Sequence, residues 1–154
     1  MIDTQLFRKA MGEFATGITV VSANDKHGEV KGITVNAFMS LSLDPTLVAV
    51  SISNKASIIQ TLADANQFGI SVLSDQQKEL SMIFAKQKEA DQPVPFDILD
   101  ETPVLKDALV QLVCEKESEV EAGDHTIYIA KVKELQVQEG QPIIYYGGSY
   151  QYLK

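Results

Sequence analysis

The sequence predicts a mainly β domain: a closed or partly open antiparallel barrel with a few short helices at its periphery. Three observations carry this reading. Strand-like runs outnumber helical ones, consecutive strands are joined by short turns, and no strand–helix–strand alternation runs the length of the chain. The 154 residues suit one domain, residues 1–154, with enough chain to bury a core without disulfide or metal staples.

The elements follow in order. Asp3 or Thr4 caps an opening helix that places Phe7, Ala10, Met11, Phe14 and Ala15 on one face, and Gly17 is available to end it. Residues 18–23 and 30–38 read as strands joined into a hairpin by the turn Asn24-Asp25-Lys26-His27-Gly28. A third strand, 46–53, is entered through Asp44-Pro45. Ser57 begins a short helix, residues 67–73 return to strand, and Asp75 is placed to cap a helix through Leu80, Ile83, Phe84 and Ala85. Residues 86–103 are polar, carry Pro93, Pro95 and Pro103, and show no periodicity, so they read as a long loop. Two long strands, 108–121 and 125–138, then meet at Ala122-Gly123-Asp124. Tyr145 and Tyr150 flank a last turn at Gly147-Gly148-Ser149.

Composition narrows the function classes. Hydrophobic residues make up 45% and charged residues 22%, which disfavours disorder. Thirteen basic against 21 acidic residues leave a net charge of −8, which argues against nucleic acid or an anionic membrane as main partner. The acidity is uneven. Residues 1–60 hold five acids and five bases, whereas residues 97–124 hold nine acids and two bases, so an anionic small molecule is not disfavoured in the first half. The one cysteine, Cys114, can form no internal disulfide and reads as a small core residue. With no secretory leader pattern and no membrane-length apolar run, the expected setting is the cytoplasm.

Two polar clusters stand out. Thr34, Asn36, Ser40 and Ser42 fall on one face of an extended chain, either as a solvent face or as a rim of hydroxyl and amide groups for a planar polar ligand. Ser51, Ser53, Asn54, Lys55 and Ser57 follow the third strand. As an isolated serine, Ser57 reads first as an N-cap, and the neighbouring Lys55 adds the reading of a phosphate site. His125 in a turn reads by itself as a surface residue. Neither it nor His27 has metal-ligand spacing, so no metal site is expected. No nucleophile elbow is present.

The run Phe7-Arg8, Ala10-Met11, Phe14-Ala15-Thr16-Gly17-Ile18-Thr19-Val20-Val21, followed by Gly32, Thr34-Val35-Asn36-Ala37-Phe38, Ser40-Leu41-Ser42-Leu43-Asp44-Pro45, resembles the flavin reductase family with the FMN-binding split-barrel fold. The likeness continues through Phe84-Ala85, Ala122-Gly123-Asp124-His125-Thr126-Ile127, and Pro142 with Tyr145 to Tyr150. It covers nearly the whole chain in order.

The resemblance implies a homodimer of six-stranded split barrels that reduces FMN or FAD with NADH or NADPH, often for a partner monooxygenase. Thr34, Val35, Asn36 and Ala37 would line the isoalloxazine edge with Ser40 beside it. Ser51, Ser53, Asn54, Lys55 and Ser57 would hold the ribityl chain and phosphate, under Phe84 and Ala85. His125, with Tyr150, would face the nicotinamide, which makes His125 the candidate catalytic residue. The alternative is a flavin-binding electron carrier with tightly held FMN and little NAD(P)H oxidation. A split-barrel oxidase of the pyridoxamine-phosphate type is disfavoured by the lack of a dense Arg/Lys cluster. The sequence departs from the family pattern at Pro45-Thr46, where many relatives carry Pro-Pro, and at Lys86-Gln87, where many carry Gly-Arg.

Overall fold

The computed structural model describes residues 1–154. In chain order the elements are α1 (Thr4–Gly12), β1 (Thr19–Asn24), β2 (Val30–Val35), β3 (Phe38–Leu43), β4 (Thr46–Ser53), α2 (Ile58–Asp64), β5 (Gln67–Val72), α3 (Lys78–Phe84), β6 (Phe96–Leu99), β7 (Thr102–Leu105), β8 (Val110–Ala122), β9 (His125–Val137), β10 (Ile143–Tyr146) and β11 (Ser149–Tyr152). The fold is mainly β with three helices, as expected.

The main sheet has seven strands in the order β2-β1-β5-β8-β9-β4-β3, all pairs antiparallel. The expectation of six strands is therefore not the count observed. The run read as one strand over 30–38 divides at Asn36–Ala37 into β2, which pairs with β1, and β3, which pairs with β4. Those two strands are the opposite edges of the sheet. Laid flat, seven strands would put the edges about 29 Å apart, yet the link from Val35 to Phe38 reaches about 11 Å at most. The sheet must curl until its edges approach at Asn36–Ala37. No β2–β3 ladder closes the roll, so a seam remains there. The Ser51 N–H donates to the Ala37 carbonyl at 3.0 Å and holds the link against β4.

Alternation along β1 builds two cores. Val21 and Ala23 point inside the roll and join Val35, Val50, Ile52, Ile58, Leu62, Phe68, Ile70, Leu112, Cys114 and Tyr128. Val20 points outside and, with Ile18, joins Leu73, Leu105, Ala108 and Ile143, against which Phe84, Phe96, Tyr145 and Tyr150 pack. Burial pushes the Cys114 thiol up to about 12, consistent with its reading as a core residue.

Several expected boundaries differ. α1 ends at Gly12, before Gly17, and is capped by Asp3, whose side chain accepts from the Gln5 N–H. Asp75 does not cap α3; Gln77 occupies that position, and its side-chain oxygen instead accepts from the Ser74 N–H. The segment read as a loop over 86–103 contains β6, which runs into a hairpin with β7. Its turn residues Asp100 and Glu101 both have positive φ, 46° and 63°, without a glycine to announce it. This hairpin covers the outer core: Ser22 Oγ donates to the Pro103 carbonyl at 2.6 Å, and the Leu105 N–H donates to Ser71 Oγ at 2.8 Å. No helix is long and apolar enough to cross a membrane.

Candidate functional site

The seam at Asn36–Ala37 opens onto two hollows. One is a groove of about 880 Å³ lined mainly by apolar side chains, among them Met11, Phe14, Phe38, Met39, Val50 and Ile127, with Thr16, Thr19, Asn36 and Ser51 as polar members. The other is a cavity of about 170 Å³ lined by Ile18, Thr34, Asn36, Ser81, Ala85, Gln87, Tyr145 and Tyr150. Ile18 and Asn36 belong to both, so the two hollows adjoin. Thr16 Oγ1, in the groove wall, is buried and has no hydrogen-bond partner. An unpaired buried hydroxyl costs about 1–3 kcal/mol, and a polar edge of a bound ligand would satisfy it.

The expected site residues distribute as follows. Asn36, Ala37 and Ser51 line the groove, and Thr34, Asn36, Ala85 and Tyr150 line the cavity. The Thr34 hydroxyl is already engaged, donating to the Ser81 carbonyl at 2.6 Å and so tying β2 to α3. Val35 is buried in the inner core, which leaves only its main chain for a ligand. Ser40 is exposed on β3 opposite Val48, outside both hollows. Phe84 does not stand free over the site. Its ring meets Phe96 edge to face at 6.0 Å and lies so close to Gly32 that a Cβ there would be 2.7 Å from it.

The second cluster gathers around the β4–α2 loop. Ser53 pairs with His125 across β4 and β9. The Asn54 N–H donates to the Asp124 carbonyl at 2.9 Å, and Thr126 Oγ1 donates to Asn54 Oδ1 at 2.6 Å. The strand pairing therefore brings Ser53, Asn54 and His125 together from positions some seventy residues apart. His125 Nδ1 is 2.8 Å from Asp124 Oδ1. That hydrogen bond, with charge from His125 and Lys55, holds the Asp124 carboxyl below its usual range. Ser57 occupies the N-cap position of α2, as read, but its side chain makes no capping hydrogen bond. Its hydroxyl instead accepts from Lys86 Nζ at 3.5 Å.

The residues not anticipated are Ser81, Gln87, Tyr145, Thr126 and Lys86. Lys86 and Gln87 enter the sequence reading only as a departure from Gly-Arg, and Thr126 and Tyr145 only within the family likeness or, for Tyr145, beside the last turn. Lys86 takes a left-handed backbone, φ 61°, a conformation that favours glycine, and its ammonium reaches Ser57. No group of three or more His, Cys, Asp or Glu side chains is positioned to hold a metal ion.

Residues 11–154 match the family described as flavin reductase like domain. The chain belongs to the flavin reductase family. The NADH-dependent flavin reductase StyB of Pseudomonas fluorescens is 41% identical over 153 residues, covering 97% of this chain and 89% of the relative. The reductase component of 4-hydroxyphenylacetate 3-monooxygenase from Thermus thermophilus is 37% identical, covering 97% and 96%. Among solved structures, the flavin reductase PheA2 in its native state superposes with a TM-score of 0.96 at 44% identity, covering 99% of both chains. The protein is thus an oxidoreductase of the flavin reductase type, and the groove and cavity at the seam are its candidate active site.

Proposed function

We propose that this flavin reductase takes hydride from NADH or NADPH and delivers it to FMN, with FAD as the alternative flavin, and that the reduced flavin serves a monooxygenase component. The observation that carries this is the shared wall of the two hollows: ligands occupying the groove and the cavity would meet at Ile18 and Asn36. The groove's volume lies in the range that takes a large planar ligand, whereas the cavity falls below the roughly 300 Å³ at which drug-sized ligands begin to fit and suits a single ring.

The residues fit a flavin. The apolar groove wall suits the body of a tricyclic ring, and Thr16, Asn36 and Ser51 supply polar groups at its margin. When bound, flavin supplies the hydride-accepting N5 and nicotinamide the donating C4. The chain needs no nucleophile for this. Ile18 and Asn36, common to both hollows, would set where the two rings meet and help keep water from between them. Donors at the groove margin stabilise charge that develops on the flavin's polar edge. Lys55, Ser57 and Lys86, with Ser53 and Asn54, would hold the phosphate. His125, held by Asp124 beside Ser53 and lining neither hollow, would meet the nicotinamide nucleotide outside the cavity.

The same reading makes the molecule a single-domain homodimer of split barrels acting in the cytoplasm. α1 buries none of its residues, and Met11, Phe14 and Met39, each more than half exposed, line the groove. A second copy packed on this apolar face would cover them and complete the groove.

The test is direct. Absorbance of the purified protein reports bound flavin, and NADH or NADPH oxidation is followed with FMN or FAD added. Flavin-dependent oxidation is expected; neither flavin binding nor oxidation would overturn the reading. Tight flavin retention with negligible oxidation would replace it with the electron carrier.

A further inference from the structure

Ser81 is fully buried on α3, in the wall of the smaller cavity, and both of its polar groups are used. Its carbonyl accepts from the Thr34 hydroxyl, and its own hydroxyl is 2.9 Å from the Tyr150 hydroxyl. Tyr150 belongs to the terminal hairpin β10–β11. That hairpin is fastened along one side by the Thr16–Tyr145 bridge and by the Gly147 N–H, which donates to the Gly12 carbonyl at 2.9 Å. The Ser81 bond fastens it on the other side, across the cavity.

The Tyr150 ring is held in addition by an edge contact to Tyr145, 5.8 Å between centroids, and by Lys78 Nζ 5.4 Å above its face. Neither contact is directional enough to fix the hydroxyl. The Ser81 hydrogen bond sets the ring's position along the cavity wall, and the same residue anchors Thr34 opposite it.

We propose that Ser81 is a positioning residue for the nicotinamide: it holds Tyr150 and Thr34 at the spacing that admits one ring into the cavity. The inference rests on the flavin reductase reading above, with the cavity taking the nicotinamide. Losing one neutral hydrogen bond of ordinary strength would weaken binding by about five- to tenfold. The effect of losing the Ser81 hydroxyl falls on the nicotinamide, because the groove wall does not include Ser81 and the main-chain carbonyl that holds Thr34 stays in place.

The experiment compares Ser81→Ala, Tyr150→Phe and the double variant with wild type. It measures kcat and KM for NADH at saturating FMN, the Kd for FMN by flavin fluorescence, and the melting temperature. Each single variant should raise KM for NADH by about five- to tenfold with Kd for FMN within about twofold. The double variant should raise it no further, since both changes remove the same bond. Tyr150→Phe deletes only an oxygen on a half-buried ring and keeps the test open where Ser81→Ala folds poorly. If wild type oxidises NADH and both single variants keep its KM, the positioning role is overturned while the flavin reductase reading stands. Additive effects, or parallel losses of FMN affinity, kcat and melting temperature, would overturn it as well. Absence of NADH oxidation by wild type would overturn the reading beneath it.

Discussion

His125 Nδ1 and the Asp124 carboxylate lie 2.8 Å apart at the tip of the β8–β9 ribbon, beside Ser53 of β4. An ionised carboxylate only accepts, so the neutral imidazole carries its proton on Nδ1 and leaves Nε2 free. His125→Ala should lower NADH-dependent reduction by about ten- to a hundredfold through lost positioning, with flavin affinity largely intact. Unchanged steady-state kinetics with NADH would refute the role.

The same pair fixes a titration. The hydrogen bond to His125, the largest cause, lowers the Asp124 pKa from the ordinary 3.8. The carboxylate is therefore charged above 3.8, and what the contact contributes to the fold is lost only as pH falls through the lowered value. Followed by carboxyl NMR, the Asp124 midpoint should lie below 3.8 in wild type and return toward it in His125→Ala. An identical midpoint in both proteins would contradict the geometry.

Lys86 separates stability from binding. A non-glycine residue at φ 61° carries strain of about 1 kcal/mol or more, so Lys86→Gly should leave stability unchanged or raise it by up to about 1 kcal/mol. It also removes the ammonium aimed at Ser57, and FMN should bind more weakly while riboflavin, which lacks the phosphate, is little affected. Replacing Lys55 or Ser57 should show the same preference. Isothermal titration with the two flavins reads it, and equal losses for both would move the phosphate elsewhere.

The contrast between two hairpins shows what the sequence could and could not reveal. Gly147 and Gly148, at φ 62° and 79°, advertise the turn between β10 and β11. Asp100 and Glu101 adopt the same left-handed geometry with no glycine, and the prolines around them masked four-residue strands. Strand-like runs located β1, β4, β5, β8 and β9, because one or both of their faces are buried. They could not locate the break at Asn36–Ala37, since both sides of that link read as strand. The polar clusters were legible as residue types. Their assembly was not, because Ser53 and His125, or Ser81 and Tyr150, meet only through long-range pairing and packing.

Two glycines should be the least replaceable positions in the sheet. At Gly32 an added Cβ would sit 2.7 Å from the Phe84 ring, so Gly32→Ala must push α3 outward and should cost about 1–3 kcal/mol. At Gly69 the Cβ would meet the Pro103 carbonyl, which is backbone of the covering hairpin and cannot rotate away. Gly69→Ala should therefore be the more damaging. Urea denaturation of the two variants orders them, and a Gly69→Ala protein as stable as wild type would show that the β6–β7 hairpin does not press on β5.

Cys114 offers a probe of the core itself. With its thiol pushed up to about 12, only ~10⁻⁴ of it is ionised at pH 8, and the side chain is fully buried. Native protein should react with an aromatic disulfide reagent only through unfolding, at least a hundredfold more slowly than denatured protein, which should release one equivalent at once. Because the folded value lies above the ordinary 9.0, this group favours the folded state fully below pH 9. Its contribution is lost as pH rises toward about 12, so the melting temperature should fall over that range. Rapid stoichiometric labelling of the native protein at pH 8 would place Cys114 outside the inner core and break the register that pairs it with Phe68.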